Sequence, residues 1–212
     1  MSIQTKICGI KTPEALNAAI EGGARMVGFV FFPPSPRHVS IDTAKELALM
    51  LPTGVRCVAL FVDPTDEQLE AVLGHVQIDM IQLHGDESPK RVSEIKSKYA
   101  MPILKAFPVR EAADIDRCAD YADAADWFLF DAKPVDADLP GGTGQRFDWG
   151  LLDGKSFDKP WMLSGGLTPD NVGDALSVLS PKAVDVSSGV ERERGVKDEG
   201  KIRAFLDTVN AL

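Results

Sequence analysis

The sequence predicts an α/β chain folded as a single-domain (β/α)8 TIM barrel over residues 1–212, and three features predict it. Short apolar, β-branched runs recur along the whole length. Each is followed by a stretch with apolar residues at helical spacing, as at Leu69, Val72 and Leu73. Polar residues and glycines collect where the runs end, which is where such a barrel carries its ligand site. About eight repeats in a chain of this length fit a closed barrel better than a doubly wound open sheet. No low-complexity segment or linker interrupts the series.

The expected strands cover 3–8, 26–31, 55–62, 79–84, 103–107, 127–131, 161–164 and 183–187. Helices are expected over 13–21, 41–50, 66–73, 89–98, 112–121, 147–152, 169–178 and 198–209. The first helix has Thr12 as N-cap and Pro13 at its first position, a pre-organised start. The seventh repeats that signature with Thr168 and Pro169, so that 9–14 and 166–170 echo each other. Between the sixth strand and its helix, 136–143 is rich in Asp, Pro and Gly and reads as a long loop.

Composition narrows the function. The 212 residues are 44% hydrophobic and 26% charged, enough for a sizeable core. No apolar run approaches the ~18 residues that span a bilayer, and no membrane association is expected. The N-terminus lacks the layout of a secretory signal. Cys8, Cys57 and Cys118 form no pairing or metal-ligand pattern, so a cytoplasmic protein without a bound metal is expected. A net charge of −9 with no basic stripe argues against nucleic-acid partners. It still allows a small phosphorylated ligand gripped by backbone N–H groups. No helix presents an exposed apolar seam, and a monomer is expected.

The strand ends carry the chemistry. Lys6-Ile7-Cys8-Gly9 closes the first strand; a thiol there is poised for reaction, although a lone cysteine also serves as a small buried hydrophobe. Arg37 follows Pro33, Pro34 and Pro36, and a guanidinium on a stiffened loop suits a carboxylate, or is simply a surface arginine. Gln82 and His84 end the fourth strand and Asp131 the sixth. Ser164-Gly165-Gly166 and Ser187-Ser188-Gly189 follow the last two strands, the usual phosphate grip of a barrel; Gly144 in the preceding loop adds donors. Alternation points Gln4, Lys6 and Cys8 inward together, and Asp185 with Ser187. The first and eighth strands are neighbours in a closed barrel. Lys6 and Asp185 are therefore expected to pair beneath the ligand, the alternative being a Schiff-base lysine.

These motifs, with Gly28-Phe29-Val30-Phe31 before Ser35-Pro36-Arg37 and Gly195-Val196-Lys197-Asp198 before the final helix, resemble in order those of phosphoribosylanthranilate isomerases. The resemblance implies an Amadori rearrangement in tryptophan biosynthesis. The aminoaldose N-(5-phosphoribosyl)anthranilate becomes the aminoketose 1-(2-carboxyphenylamino)-1-deoxyribulose 5-phosphate, with no cofactor. It implies Cys8 as general base and Asp131 as general acid. Arg37 would hold the anthranilate carboxylate and Gly144, Gly165, Gly166, Ser187, Ser188 and Gly189 the phosphate. Gln82 and His84 would touch or orient the substrate.

Those roles set demands. A free thiol, pKa about 8.5, is only ~3% thiolate at pH 7. Bringing it to about 7, worth roughly 2 kcal/mol, makes half of it competent, and Lys6 is the nearby cation. A free carboxyl near pH 7 keeps its proton in only about one molecule in a thousand, so a general acid needs help to stay protonated. His84 competes with Cys8 for the base role. Two rival readings are the sister isomerase of histidine biosynthesis, which uses two aspartates, and a non-catalytic phosphate-binding barrel.

Overall fold

The computed structural model describes residues 3–133 and 146–212. Eight parallel strands close into a barrel in sequence order: β1 (Gln4–Cys8), β2 (Met26–Val30), β3 (Arg56–Phe61), β4 (Met80–Leu83), β5 (Ile103–Val109), β6 (Trp127–Ala132), β7 (Trp161–Leu163) and β8 (Ala183–Val186). β1 closes the ring on β8 with Lys6 opposite Asp185. The helices are α1 (Pro13–Glu21), α2 (Ile41–Leu49), α3 (Asp66–Leu73), α4 (Pro89–Tyr99), α5 (Ala112–Asp116), α6 (Val172–Val178) and α7 (Glu199–Asn210).

Strand alternation divides the core in two. Outward residues such as Ile7, Val27, Phe107, Phe130 and Val184 pack under the helices. Inward residues Met26, Val58, Met80, Leu104, Ala106, Leu129, Met162 and Ala183 fill the barrel as a separate cluster. The bottom is closed by polar groups: Arg56 donates to Gln4 at 2.6 Å and lies over the Trp127 ring. A barrel filled this way is a plug, so a ligand has only the rim at the C-terminal strand ends.

Helix starts follow the expected chemistry where a cap is present. The Thr12 hydroxyl accepts from Ala15 N–H with Pro13 opening α1, and Thr65 with Gln68 forms a reciprocal capping box on α3. Three expectations fail. Residues 169–178 do not start at Pro169: Asn171 is the cap and α6 begins at Val172, because the Asn171 side chain is used to hold the preceding turn. Residues 147–152 form only a short 3-10 turn, Trp149–Leu151, and 112–121 splits into α5 and the 3-10 segment Arg117–Tyr121. After β8, a small antiparallel pair was unforeseen: β9 (Glu191–Glu193) and β10 (Val196–Lys197), turning at Gly195.

Candidate active site

Cys8 and Asp131 stand at the rim on β1 and β6, both buried and both on inward-facing positions of their strands. Beneath the thiol lies Lys6, fully enclosed, whose ammonium donates to Asp185 Oδ1 at 2.8 Å. Asp185 Oδ2 accepts from the Ser164 hydroxyl at 3.1 Å, tying β1, β8 and β7 together. The pairing expected from alternation and barrel closure is thus present. Burial works against the charge on Lys6, but the Asp185 carboxylate, with Cys8 beside it, holds the ammonium above its ordinary pKa. An amine kept protonated is no Schiff-base nucleophile.

Gly28 on β2 opposes Cys8. A Cβ there would lie 2.9 Å from Cys8 Sγ and 3.2 Å from Lys6 Nζ, so thiol and ammonium converge on one spot. The thiol nevertheless does not meet the demand that it sit near 7. Enclosure pushes its pKa up; Lys6 pulls it down, Asp185 pushes it up again, and Lys197 offsets part of the rest. Desolvating a thiolate outweighs one ammonium that is already shared with a carboxylate.

Asp131 is held by two donors. Its Oδ1 accepts from Ala132 N–H at 2.9 Å, and His84 Nε2 lies 3.2 Å from Oδ2. His84 Nδ1 in turn lies 2.9 Å from Gln82 Nε2. Gln82 and His84 therefore form one chain that ends on Asp131, and the position of the ring is set by that chain. The loop carrying His84 is clamped from outside the barrel. Buried Lys105 donates to Gly85 O at 2.7 Å and to Glu87 Oε2 at 2.9 Å, while Glu87 accepts from Gly85 N–H and Asp63 N–H.

Arg37 is buried, and its partner was not among the expected site residues. Nε and Nη2 donate to the two carboxylate oxygens of Glu191 at 2.7 and 2.9 Å, a bidentate fork. Glu191 Oε1 also accepts from buried Lys197 at 2.9 Å, and Oε2 from Gly195 N–H at 3.0 Å. Burial opposes the Glu191 charge, yet Arg37, Lys197 and Gly195 pull its pKa down to about 2. Lys197 is lowered by its burial, with Glu191 opposing. The ammonium of Lys197 donates to Ser187 O and Oγ, and the Ser187 hydroxyl reaches Cys8 O at 3.1 Å. The Ser187 side chain is thus bonded to β1 and β10.

The two glycine turns flank the mouth beside β7 and β8. Gly165 has φ +88° and packs against Ala132; a Cβ there would meet Ala132 N and come within 3.1 Å of Asp131 Oδ1. Asn171 pins this turn, accepting from Thr168 N–H at 2.8 Å and donating to Gly166 O at 2.9 Å. Gly189 lies in the 3-10 segment Ser188–Val190 with its Cα against the Leu167 carbonyl, so that the two turns touch. Gly144 lies outside the described residues. Asn171, Glu191 and Lys197 are the site residues missed by reading the sequence.

The N-(5'-phosphoribosyl)anthranilate (PRA) isomerase family model matches residues 5–208. A protein of that name from Paracoccus denitrificans is 52% identical over 100% of this chain and 99% of its own length. One from Rhodospirillum centenum is 52% identical over 100% of both chains. The crystal structure of phosphoribosyl anthranilate isomerase from Thermotoga maritima superposes with TM-score 0.89 at 37% identity, covering 99% of this chain and 100% of that one. A phosphoribosyl anthranilate isomerase in complex with reduced 1-(o-carboxyphenylamino)-1-deoxyribulose 5-phosphate matches with TM-score 0.84 at 34% identity, over 99% of this chain and 100% of that one.

Proposed function

Because the chain belongs to the N-(5'-phosphoribosyl)anthranilate isomerase family, the isomerases of tryptophan biosynthesis, we propose that it performs their reaction with Cys8 as general base and Asp131 as general acid. Asp131 protonates the furanose ring oxygen; the C1′–O bond breaks onto that oxygen as the nitrogen lone pair forms C1′=N. The cationic imine acidifies C2′–H, whose proton passes to Cys8 sulfur, giving an enolamine. Ketonisation moves a proton from O2′ to C1′. The thiol then loses a proton and the carboxylate regains one, which resets the site.

The observation that carries this reading is the placement of a thiol and a carboxyl at inward rim positions of β1 and β6, around a barrel whose interior is otherwise packed. The acid and base belong to one mouth because both stand at the C-terminal ends of strands that run parallel in one closed barrel. A buried thiol of high pKa is a scarce but strong base. The thiolate it forms sits beside Lys6 and faces a substrate that has just become cationic, so charge separation is smallest when the base is needed. Arg37, fixed by Glu191, suits the anthranilate carboxylate. The Gly165-Gly166 and Ser187-Ser188-Gly189 turns suit the 5′-phosphate, and the product analogue bound by a relative of the same fold supports a ligand of that kind. The first-strand thiol disfavours the two-aspartate sister reaction.

The test is loss of anthranilate ribonucleotide fluorescence with purified enzyme. Cys8→Ala and Asp131→Asn should each lower kcat by at least about 100-fold, the lower end for a positioned acid or base. Turnover near that of the unaltered enzyme in either variant would remove that residue from its role.

A further inference from the structure

We propose that His84 stores the proton that Asp131 delivers, with Gln82 setting the ring for it; this rests on Asp131 being the general acid. The geometry is a three-member line. Gln82 Nε2 lies 2.9 Å from His84 Nδ1, and His84 Nε2 lies 3.2 Å from Asp131 Oδ2. Gln82 is fully buried, and its Oε1 has no hydrogen-bond partner among the described residues. An orphaned buried acceptor calls for a reason.

Protonation of the ring supplies one. With the amide nitrogen against Nδ1, that nitrogen must accept, and Nε2–H points at an ionised carboxylate. An imidazolium carries N–H on both sides. Half a turn of the Gln82 amide then brings Oε1 onto Nδ1–H as a charge-assisted bond, leaving the amide nitrogen in the unpaired position, while the ring Nε2–H still faces Asp131. His84 and Asp131 together hold one extra proton as a neutral ion pair. During ring opening that proton crosses from Nε2 to Oδ2 and from the carboxyl to the furanose oxygen. The pair goes from neutral to one negative charge as the substrate becomes a cation, so the count balances. A free imidazole is protonated in roughly a quarter of molecules at pH 7, against about one in a thousand for a free carboxyl. An imidazole beside the carboxyl is thus the better place to keep a proton near neutral pH. His84 and Gln82 act through Asp131 and are positioning residues.

Other charges near the ring do not take over the task. Asp63 packs its carboxyl against Gly85 and accepts from Asp86 N–H, while Glu87 and Lys105 are bonded to each other and to the Gly85 backbone. They fix the loop and act on its peptide groups.

The experiment is the pH profile of kcat/KM from 5 to 8.5 for the unaltered enzyme, His84→Asn and Gln82→Leu, with Asp131→Asn as control. Asparagine can still donate to Asp131 but cannot store a proton. The His84→Asn deficit should widen by about tenfold or more between pH 5 and pH 7.5, because the variant keeps only the carboxyl's own proton. A deficit that does not vary with pH, or none, overturns the proposal. Full activity in Asp131→Asn overturns the acid assignment itself, so the two failures are distinguishable. ¹⁵N NMR of the unaltered protein needs no variant. The ring of His84 should carry protons on both nitrogens within the pH range of activity, and a ring that stays neutral from pH 5 to 8.5 also overturns the proposal.

Discussion

Replacing Glu191 by Gln keeps the shape of the side chain and removes the charge shared by two buried cations. The carboxylate receives Arg37 at 2.7 and 2.9 Å and Lys197 at 2.9 Å. Its pKa falls from 4.5 to about 2 in the fold. Full conversion of that fall gives about 3 kcal/mol, and screening on the mouth side leaves about 2. Loss of one member of a buried ion pair is independently worth about 3 kcal/mol or more, because the stranded charge stays buried. We therefore expect Glu191→Gln to lose about 2–3 kcal/mol at pH 7. A group whose folded pKa is depressed stabilises above its unfolded pKa, and the contribution fades as pH falls through the folded one. The gap between the two proteins should be complete above pH 4.5 and close toward pH 2, with less than half remaining at pH 3. Urea unfolding followed by tryptophan fluorescence at both pH values measures it. A gap below ~1 kcal/mol at pH 7, or one equally large at pH 3, refutes the reasoning.

Three further outcomes follow from the same geometry. Since enclosure raises the Cys8 thiol, its ultraviolet thiolate absorbance, taken as the difference from Cys8→Ala, should still be rising with pH above 8.5, and Lys6→Met should push that rise to higher pH; a thiolate fully formed by pH 7 contradicts the raised thiol. Gly165→Ala drives a Cβ into Ala132 at a φ of +88° beside Asp131, and should lower kcat with a stability loss of about 1–3 kcal/mol in thermal melts. Gly189→Ala meets the Leu167 carbonyl where the two turns touch; if those turns hold the phosphate, its KM should rise and inhibition by inorganic phosphate should weaken in parallel. Unchanged phosphate inhibition would detach these turns from the ligand.

The barrel was legible because most strands are apolar runs of the right length with a helix-start signal behind them, and closure then made Lys6 and Asp185 neighbours. The same reasoning could not reach Glu191. It lies 154 positions from Arg37, on a three-residue strand of Glu, Arg and Glu with no apolar alternation to reveal it. Gln82 and His84 were legible as residues at the end of the fourth strand, but their partner Asp131 comes from another strand. Only the three-dimensional turn shows that they end on it. Thr168 looked like a helix cap by type and position; the Asn171 amide, bonded to both sides of the glycine turn, displaced it. The direction of the Cys8 shift was unreadable because it depends on how completely neighbours enclose the sulfur, and sequence supplies the nearby lysine but not the enclosure.

The central claim is a division of labour, in which the carboxyl opens the ring before the thiol takes the C2′ proton. The deuterium isotope effect on kcat/KM with substrate labelled at C2′ separates the two steps. With Cys8→Ser the effect should be fully expressed, since C–H cleavage becomes limiting; with Asp131→Asn it should collapse toward unity, since ring opening comes first. The reverse pattern, a large effect in Asp131→Asn and none in Cys8→Ser, would contradict the assignment.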